Sequence, residues 1–291
     1  MSEDHGHGHG HGHGHGHGDA GGADMAEVLD LDAVVFGDHL ADLVSWLPVR
    51  EAPREIVDLG AGTGVGTFAL LDRFPDAHVT ALDSSSAHLR RLQEKADAAG
   101  WAGQVDVLPC DLDGEQVPLG TPDLVWASAS LHHLADPERM LRRLHDALAP
   151  GGLLVVVEID GFPRFLPDDA PEDSPGLEVR ARAVADRRAA EHMPHRGADF
   201  APLFGATGFR IEAQRADTVE VEGARSAAVG RYALAGLSRL RDGIAGDLSA
   251  PDRAALDRLV DPDDPGSVLR RDDLVVRTSR PAWAVRPSAR D

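Results

Sequence analysis

Residues 55–70 read EIVDLGAGTGVGTFAL. Ile56, Val57 and Leu59 form the short apolar run of a buried parallel strand. Gly60, Gly62, Gly64 and Gly66 follow, and glycines at such a turn permit positive φ and a close approach of the backbone to a ligand. Phe68, Ala69, Leu70 and Leu71 then open a helix that packs back on the sheet. The stretch is a strand, a glycine turn and a helix start, whose free N–H groups suit a nucleotide-like cofactor. The dinucleotide fingerprint G-x-G-x-x-G fails in both registers, because its third glycine falls on Val65 or on Thr67. The P-loop fails as well, since no Gly-Lys-Ser/Thr follows.

What remains is D-x-G-x-G-x-G with Asp58 at the strand end. It resembles motif I of the class I S-adenosylmethionine-dependent methyltransferases. Four further landmarks follow in the family's order. HVTALD, residues 78–83, is a second strand ending in Asp83, which stands 23 positions after Gly60, where an acid can accept hydrogen bonds from ribose hydroxyls. QVDVLPCDLDG, residues 104–114, is a third strand followed by Asp111. TPDLVWASASLHHL, residues 121–134, matches the fourth strand and its outgoing loop, and LAPGGLLVVVEID, residues 148–160, the Pro-Gly-Gly turn and fifth strand. The resemblance covers residues 54–160. It implies S-adenosyl-L-methionine as cofactor, with Asp58, Gly60, Ala61, Gly62, Thr63 and Gly64 at its methionine part. It also implies Asp83 and Ser84 at the ribose, Asp111 and Leu112 beside Cys110 near the adenine, and Ala127 and Ser128 at the fourth strand's exit.

The implied architecture is α/β: a Rossmann-like, seven-stranded, mostly parallel sheet with helices on both faces. Its strands are expected at 54–59, 78–82, 104–108, 122–127 and 152–159, with helices at 65–74, 85–99 and 137–148. Ser84 or Ser85 can cap the second of these helices, and Asp136-Pro137 starts the third. Residues 26–47 read as one or two helices ahead of the first strand, and 177–192 as a charged helix. Residues 195–209 resemble the family's helix before strand six, expected at 209–214. An insertion at about 215–271 holds helices at 224–245 and 251–260, and 272–287 reads as the last strand, where Pro281 asks for an edge position or a bulge. The chain thus divides into a disordered stretch 1–25 and one domain 26–291. Within that domain, 26–53 is a helical cap, 54–160 the cofactor-binding core and 161–291 the substrate side.

The 291 residues carry a net charge of −20, which repels phosphate backbones and makes nucleic acid a poor partner. The densest basic group, Arg182, Arg187 and Arg188, reads as a solvated helix face. Arg-rich, Lys-poor composition with abundant Ala and Asp is associated with bacterial GC-rich coding. No stretch approaches the roughly 18 apolar residues of a membrane span and no apolar secretion segment stands at the N-terminus, so cytoplasmic placement is expected. The lone Cys110 excludes an intramolecular disulfide or a thiolate cluster. His5, His7, His9, His11, His13, His15 and His17 alternate with glycine and suit weak, non-unique binding of Ni, Zn, Cu or Co. No metal is expected in the domain itself, and the late insertion suits a substrate lid or a homodimer surface.

Methyl transfer from a sulfonium asks mainly for positioning and at times a base. The candidates are His133 and His132 after the fourth strand, with Glu158 ending the fifth. Trp126, Phe162 and Phe165 are candidate pocket walls. The expected function is methyl transfer to O or N of a small molecule. The alternative is a non-catalytic cofactor-binding or metal-binding regulator on the same fold.

Overall fold

The computed structural model describes residues 18–288. The histidine–glycine repeat, up to His17, lies outside the described residues, and so does its expected metal affinity. The expected disordered run to residue 25 overlaps the first helix, α1, which spans Gly18–Val35. Helix α2, Gly37–Trp46, completes the N-terminal pair.

The first half alternates strand and helix: β1 (Glu55–Leu59), α3 (Val65–Arg73), β2 (His78–Asp83), α4 (Ser86–Ala99), β3 (Val105–Pro109), β4 (Leu124–Ser128), α5 (Pro137–Ala147) and β5 (Leu153–Val157). Each boundary falls within two residues of its expected place. Local chemistry explains the starts. The Ser85 hydroxyl accepts from the His88 N–H to open α4, and the Asp136 carboxylate accepts from the Arg139 N–H to open α5, where Pro137 needs no donor.

The second half holds α6 (Leu177–His192), α7 (Ala201–Ala206), β6 (Phe209–Glu222), α8 (Ala227–Ile244), α9 (Ala250–Val260) and β7 (Val275–Pro287). The seven strands order as β3-β2-β1-β4-β5-β7-β6. The first five are parallel, and β7 runs antiparallel to both its neighbours. Among the described residues, no helix is long and apolar enough to cross a membrane.

Two expectations change here. Helix α7 is a short turn of helix, not a run over 195–209. Strand β6 does not stop at residue 214 but continues to Glu222, so the insertion begins at Gly223 rather than near 215. The extra length pairs with β7 from Glu222↔Val275 onward and makes a two-stranded ribbon that outruns β5. Ladder pairing with β5 ends at Val157↔Ala282, one position past Pro281. The Pro281 carbonyl accepts from the Glu158 N–H, but its ring nitrogen has no hydrogen to return, and the β5 strand ends at this point. Pro281 therefore sits where pairing with β5 stops, inside a strand that pairs with β6 on its other side.

Three apolar clusters hold these layers. One sheet face packs Ile56, Val79, Trp126 and Val155 against Leu43 and Val44 of α2, Leu70 and Leu71 of α3, and Leu92 of α4. The other packs Val57, Val125, Val156 and Val285 against Leu141 and Leu144 of α5 and Phe204 of α7. A third core lies off the sheet. Leu31 and Phe36 from the N-terminal pair, Leu177 of α6, Tyr232 and Leu237 of α8 and Leu256 of α9 bury one another beside Val276 of the ribbon. The late insertion thus folds with the N-terminal helices into a helical cap.

Candidate functional site

The glycine turn is pinned to the next strand. The Gly60 and Ala61 N–H groups donate to the Leu82 carbonyl at 2.8 and 2.9 Å, and the Gly62 N–H donates to Asp83 Oδ2 at 2.9 Å. Gly60 and Gly62 adopt φ of 69° and 55°. A Cβ on Gly60 would stand 2.6 Å from the Ser130 Cβ, so the turn and the β4 exit meet with no room for a side chain. Ala61 and Thr63 are buried and Gly64 begins α3 in the left-handed region.

Asp83 sits at the tip of β2. Besides Gly62, its Oδ1 accepts from the Ser85 N–H at 2.8 Å, and His88 Nδ1 lies 3.5 Å away. Burial pushes this carboxyl up, but the nearby His88 imidazole and the hydrogen bonds from the Ser85 and Gly62 N–H groups outweigh it and hold the acid below its ordinary range. Asp83 is thus ionised, and each oxygen retains a lone pair beyond its backbone donor. Ser84 is exposed beside it. Both ring nitrogens of His88 and the Ser130 hydroxyl are buried without a hydrogen-bond partner. A polar guest bearing vicinal hydroxyls fits this donor and acceptor set.

Asp58 behaves differently. It is 2 % exposed and accepts from the Thr67 hydroxyl at 2.7 Å. Its side chain therefore fastens the first turn of α3 from beneath and does not open to the cleft. Burial, opposed by the Thr67 hydrogen bonds and reinforced by the Asp83 charge, pushes its carboxyl up to about 7. The folded state then holds this proton between the ordinary 3.8 and about 7, where the unfolded chain has released it. Stability falls as pH rises across that window, and the loss persists above it. Asp58→Asn is expected to stabilise the protein at about pH 8 by on the order of 2–4 kcal/mol, with the gain fading towards about pH 4. Denaturant unfolding at both ends of that window checks the sign; an equal difference at the two pH values would assign Asp58 another role.

After β3, Asp111 is exposed and its Oδ1 accepts from the Asp113 N–H, closing the turn. Leu112 is half-buried and packs beside Cys110, whose thiol is pushed up by burial and by the Asp111 charge. At the β4 exit, Ala127 is fully buried and Ser128 half-buried, and Ala129 takes a positive φ of 50°, a strained value for alanine.

Above that exit, His132 and His133 diverge. The His132 ring is 3 % exposed and its Nδ1 meets Glu158 Oε2 at 2.5 Å, while Glu158 Oε1 accepts from the Leu131 N–H at 3.0 Å. Glu158 is itself 2 % exposed. The pair is a buried clasp that fixes the β4 exit loop to the β5 exit. His133 faces outward, its ring 4.2 Å from that of His132. The protein packed around part of its ring, with His132 and Arg196 nearby, lowers its pKa, so it is neutral at pH 7 with a nitrogen able to accept a proton.

The N-terminal helix roofs this floor. Leu29 lies 3.1 Å from the Cβ position of Gly62, and Asp30 accepts from the Thr63 hydroxyl at 2.8 Å. Lys95, the only lysine, binds both Asp30 and the Thr63 carbonyl. Two residues along, on another side of the helix, Asp32 accepts from Tyr232 Oη at 2.7 Å and Arg280 Nη2 at 2.6 Å. Helix α1 is therefore tied through Asp30 to the glycine turn and through Asp32 to the cap.

Sequence reading placed some of these residues wrongly. Trp126 is fully buried and its ring crosses Gly66, where a Cβ would meet it at 2.5 Å, so it is core rather than pocket wall. Phe165 is buried too, whereas Phe162 is 42 % exposed. Arg187 and Arg188 are exposed as expected, but Arg182 turns inward onto Glu178. Among the described residues, no group of three potential ligands could hold a metal. Asp30, Asp32, Arg196, Tyr232 and Arg280 were missed, because no local motif marks them.

Comparison with known proteins matches residues 57–154 to a family profile described as a methyltransferase domain. A trans-aconitate 2-methyltransferase of Methylobacterium radiotolerans is 39% identical over 124 residues, which is 40% of this chain and 42% of that protein. A malonyl-[acyl-carrier protein] O-methyltransferase of Laribacter hongkongensis is 37% identical over 113 residues, 37% of this chain and 38% of that one. The matched stretch therefore spans less than half the length of these relatives. In structure, the chain superposes on a methyltransferase-like protein of Bacillus halodurans with a TM-score of 0.54 at 16% identity, covering 86% of this chain and 99% of that one, a likeness of fold. Residues 57–154 thus match a methyltransferase domain, and in this stretch the chain is similar to S-adenosylmethionine-dependent methyltransferases of class I.

Proposed function

We propose that the protein transfers the methyl group of S-adenosylmethionine to an oxygen or nitrogen atom of a small-molecule acceptor, leaving S-adenosylhomocysteine. The observation that carries this reading is the bond from the Gly62 N–H to an ionised Asp83 across a turn of left-handed glycines. It sets an acid with spare lone pairs beside a backbone that a ligand can approach closely.

When bound, the cofactor supplies a methyl group on a positively charged sulfur, already activated for displacement. Asp83 holds the ribose hydroxyls. The Gly60–Gly64 turn, kept in shape from below by Asp58 and Thr67, receives the methionine part. Asp111 and Leu112 border the adenine, and Ala127 and Ser128 the reacting end. Helix α1 excludes water from above. His133, neutral and at the mouth, takes the proton of a hydroxyl or ammonium acceptor, while His132 and Glu158 hold its loop in place.

The relatives' names carry trans-aconitate and malonyl-acyl carrier protein. Their matched stretch is the cofactor half, so the acceptor of this chain is a matter for its own cap. Transfer of labelled methyl from S-adenosylmethionine to a metabolite pool tests the reading. Tight binding of NAD with none of S-adenosylmethionine would overturn it. With His133 as base, the transfer rate is expected to rise through the mildly acidic range and level off by about pH 7, and His133→Ala to lower the plateau by about 10²-fold or more. An unaltered pH profile in that variant would leave His133 a loop residue.

A further inference from the structure

The net charge of −20 makes buried cations beside the cleft informative. Two line the β5 exit. The Arg196 side chain is 7 % exposed, and its guanidinium stacks on the ring of Phe162 at 4.4 Å. Nη2 donates to Asp186 at 2.6 Å, but Nη1 is buried with no hydrogen-bond partner among the described residues. Arg182 flanks the same ring at 5.9 Å, is 11 % exposed, and has an unpartnered Nε. An unmade hydrogen bond on a buried cation is costly, and a native fold keeps one where a guest completes it.

The surrounding acids do not consume this charge. Glu178 is spent: Oε2 accepts from the Phe165 and Leu166 N–H groups at 2.9 and 2.8 Å, and Oε1 from Arg182. Asp186 is 55 % exposed, so its pairing with Arg196 is screened by water. Asp160 is exposed and lies against Gly197, on the chain leaving Arg196. Around the Phe162 ring the buried charges are those of Arg182 and Arg196 against Glu178, while Glu158 is engaged by His132 and the Leu131 N–H.

The place matters as much as the charge. Asp160 and Phe162 follow directly on Glu158, which clasps the loop of His133. The charge of Arg196 is felt at His133. Phe162, 42 % exposed, offers an apolar face between the two guanidiniums.

Building on the transfer reading, we propose that the methyl acceptor is a small carboxylic acid and that Arg196, seated on Phe162 beside the His133 loop, holds its carboxylate. A guanidinium with one free arm suits a single carboxylate, and the one net buried cation balances one negative charge. A phosphate dianion would remain undercompensated. Phe162 covers the carbon skeleton, and Arg182 fixes the ring from behind.

The test uses the full chain saturated with S-adenosylhomocysteine. Monomethyl malonate and monomethyl succinate, each a single carboxylate, are titrated calorimetrically, each beside its neutral dimethyl ester, and inorganic phosphate serves as a further probe. At least one acid is expected to bind about tenfold or more tightly than its own ester, and Arg196→Gln to bring that acid to the ester's level. Arg196→Lys should restore part of the difference, with S-adenosylhomocysteine affinity unchanged in both variants. Equal binding of acids and esters, an unaltered acid affinity in Arg196→Gln, or phosphate outbinding every acid would overturn the proposal. Should Arg196→Gln fail to fold, Arg196→Lys and Phe162→Ala carry the same comparison. Absence of S-adenosylhomocysteine binding in the wild type would instead bring down the transfer reading itself, a separable outcome.

Discussion

Glu158→Ala is expected to destabilise the protein by about 3–5 kcal/mol and to lower its melting temperature by roughly 10 °C or more. Glu158 is 2 % exposed and takes two donors at once, the Leu131 N–H and the ring of His132, itself 3 % exposed. Alanine removes both acceptors and leaves two polar groups stranded away from water, along with a cavity. Glu158→Gln separates the causes. Its carbonyl oxygen can still accept from Leu131, and its amide can donate to an unprotonated His132 nitrogen, so about 1 kcal/mol is expected to be lost. Thermal unfolding of the two variants checks the ranking; a loss in Glu158→Ala no greater than in Glu158→Gln would deny the clasp its role. Because the clasp sets the loop bearing His133, labelled methyl transfer should fall more in Glu158→Ala than in Glu158→Gln, even well below the melting point.

Asp83→Ala is expected to weaken S-adenosylhomocysteine by about 10²-fold or more, since two charge-assisted hydrogen bonds to the ribose are lost together. The structure adds a sharper expectation for Asp83→Asn. Both carboxylate oxygens accept from backbone N–H groups, Gly62 on one side and Ser85 on the other. An asparagine amide in either flip turns its own N–H towards one of these donors. Asparagine should therefore be nearly as harmful as alanine, whereas Glu is the one replacement that keeps two acceptor oxygens. Calorimetric titration of the three variants decides it, and an affinity in Asp83→Ala equal to that of the wild type would place the cofactor elsewhere.

Reading by motif succeeded for the elements themselves, which depend on backbone and short range. The glycines, Asp83 at the end of HVTALD and the Pro-Gly-Gly turn all lie in local patterns, and their elements form within two residues of expectation. It failed where a side chain's direction is set by distant packing. Asp58 and Trp126 both stand near strand ends and were read as facing the cleft. In the fold they point beneath α3, and the sequence held one overlooked signal, since Gly66 is the gap that admits the Trp126 ring. Strand β6 was read short because its second half, ADTVEVE, buries Val219 and Val221 only in part, against a cap core assembled from elements far apart in the chain. Arg182 was read as solvated because α6 carries charge on every side, so helical phase alone does not mark the inward residue.

The sequence by itself determined the α/β order of elements and the glycine turn, because strand pattern, glycine geometry and capping are short-range physics acting on neighbouring residues. The tertiary structure alone decided which acid is held ionised and which is buried beneath α3, which histidine meets Glu158, and where charge is stored. Asp83 and Asp58 differ in whether burial is outweighed by donors, His132 and His133 in which one meets Glu158. Arg196 owes its free donor to elements far apart in the chain. Each of these is a balance of burial against hydrogen bonding, set only once the cap has closed over the sheet.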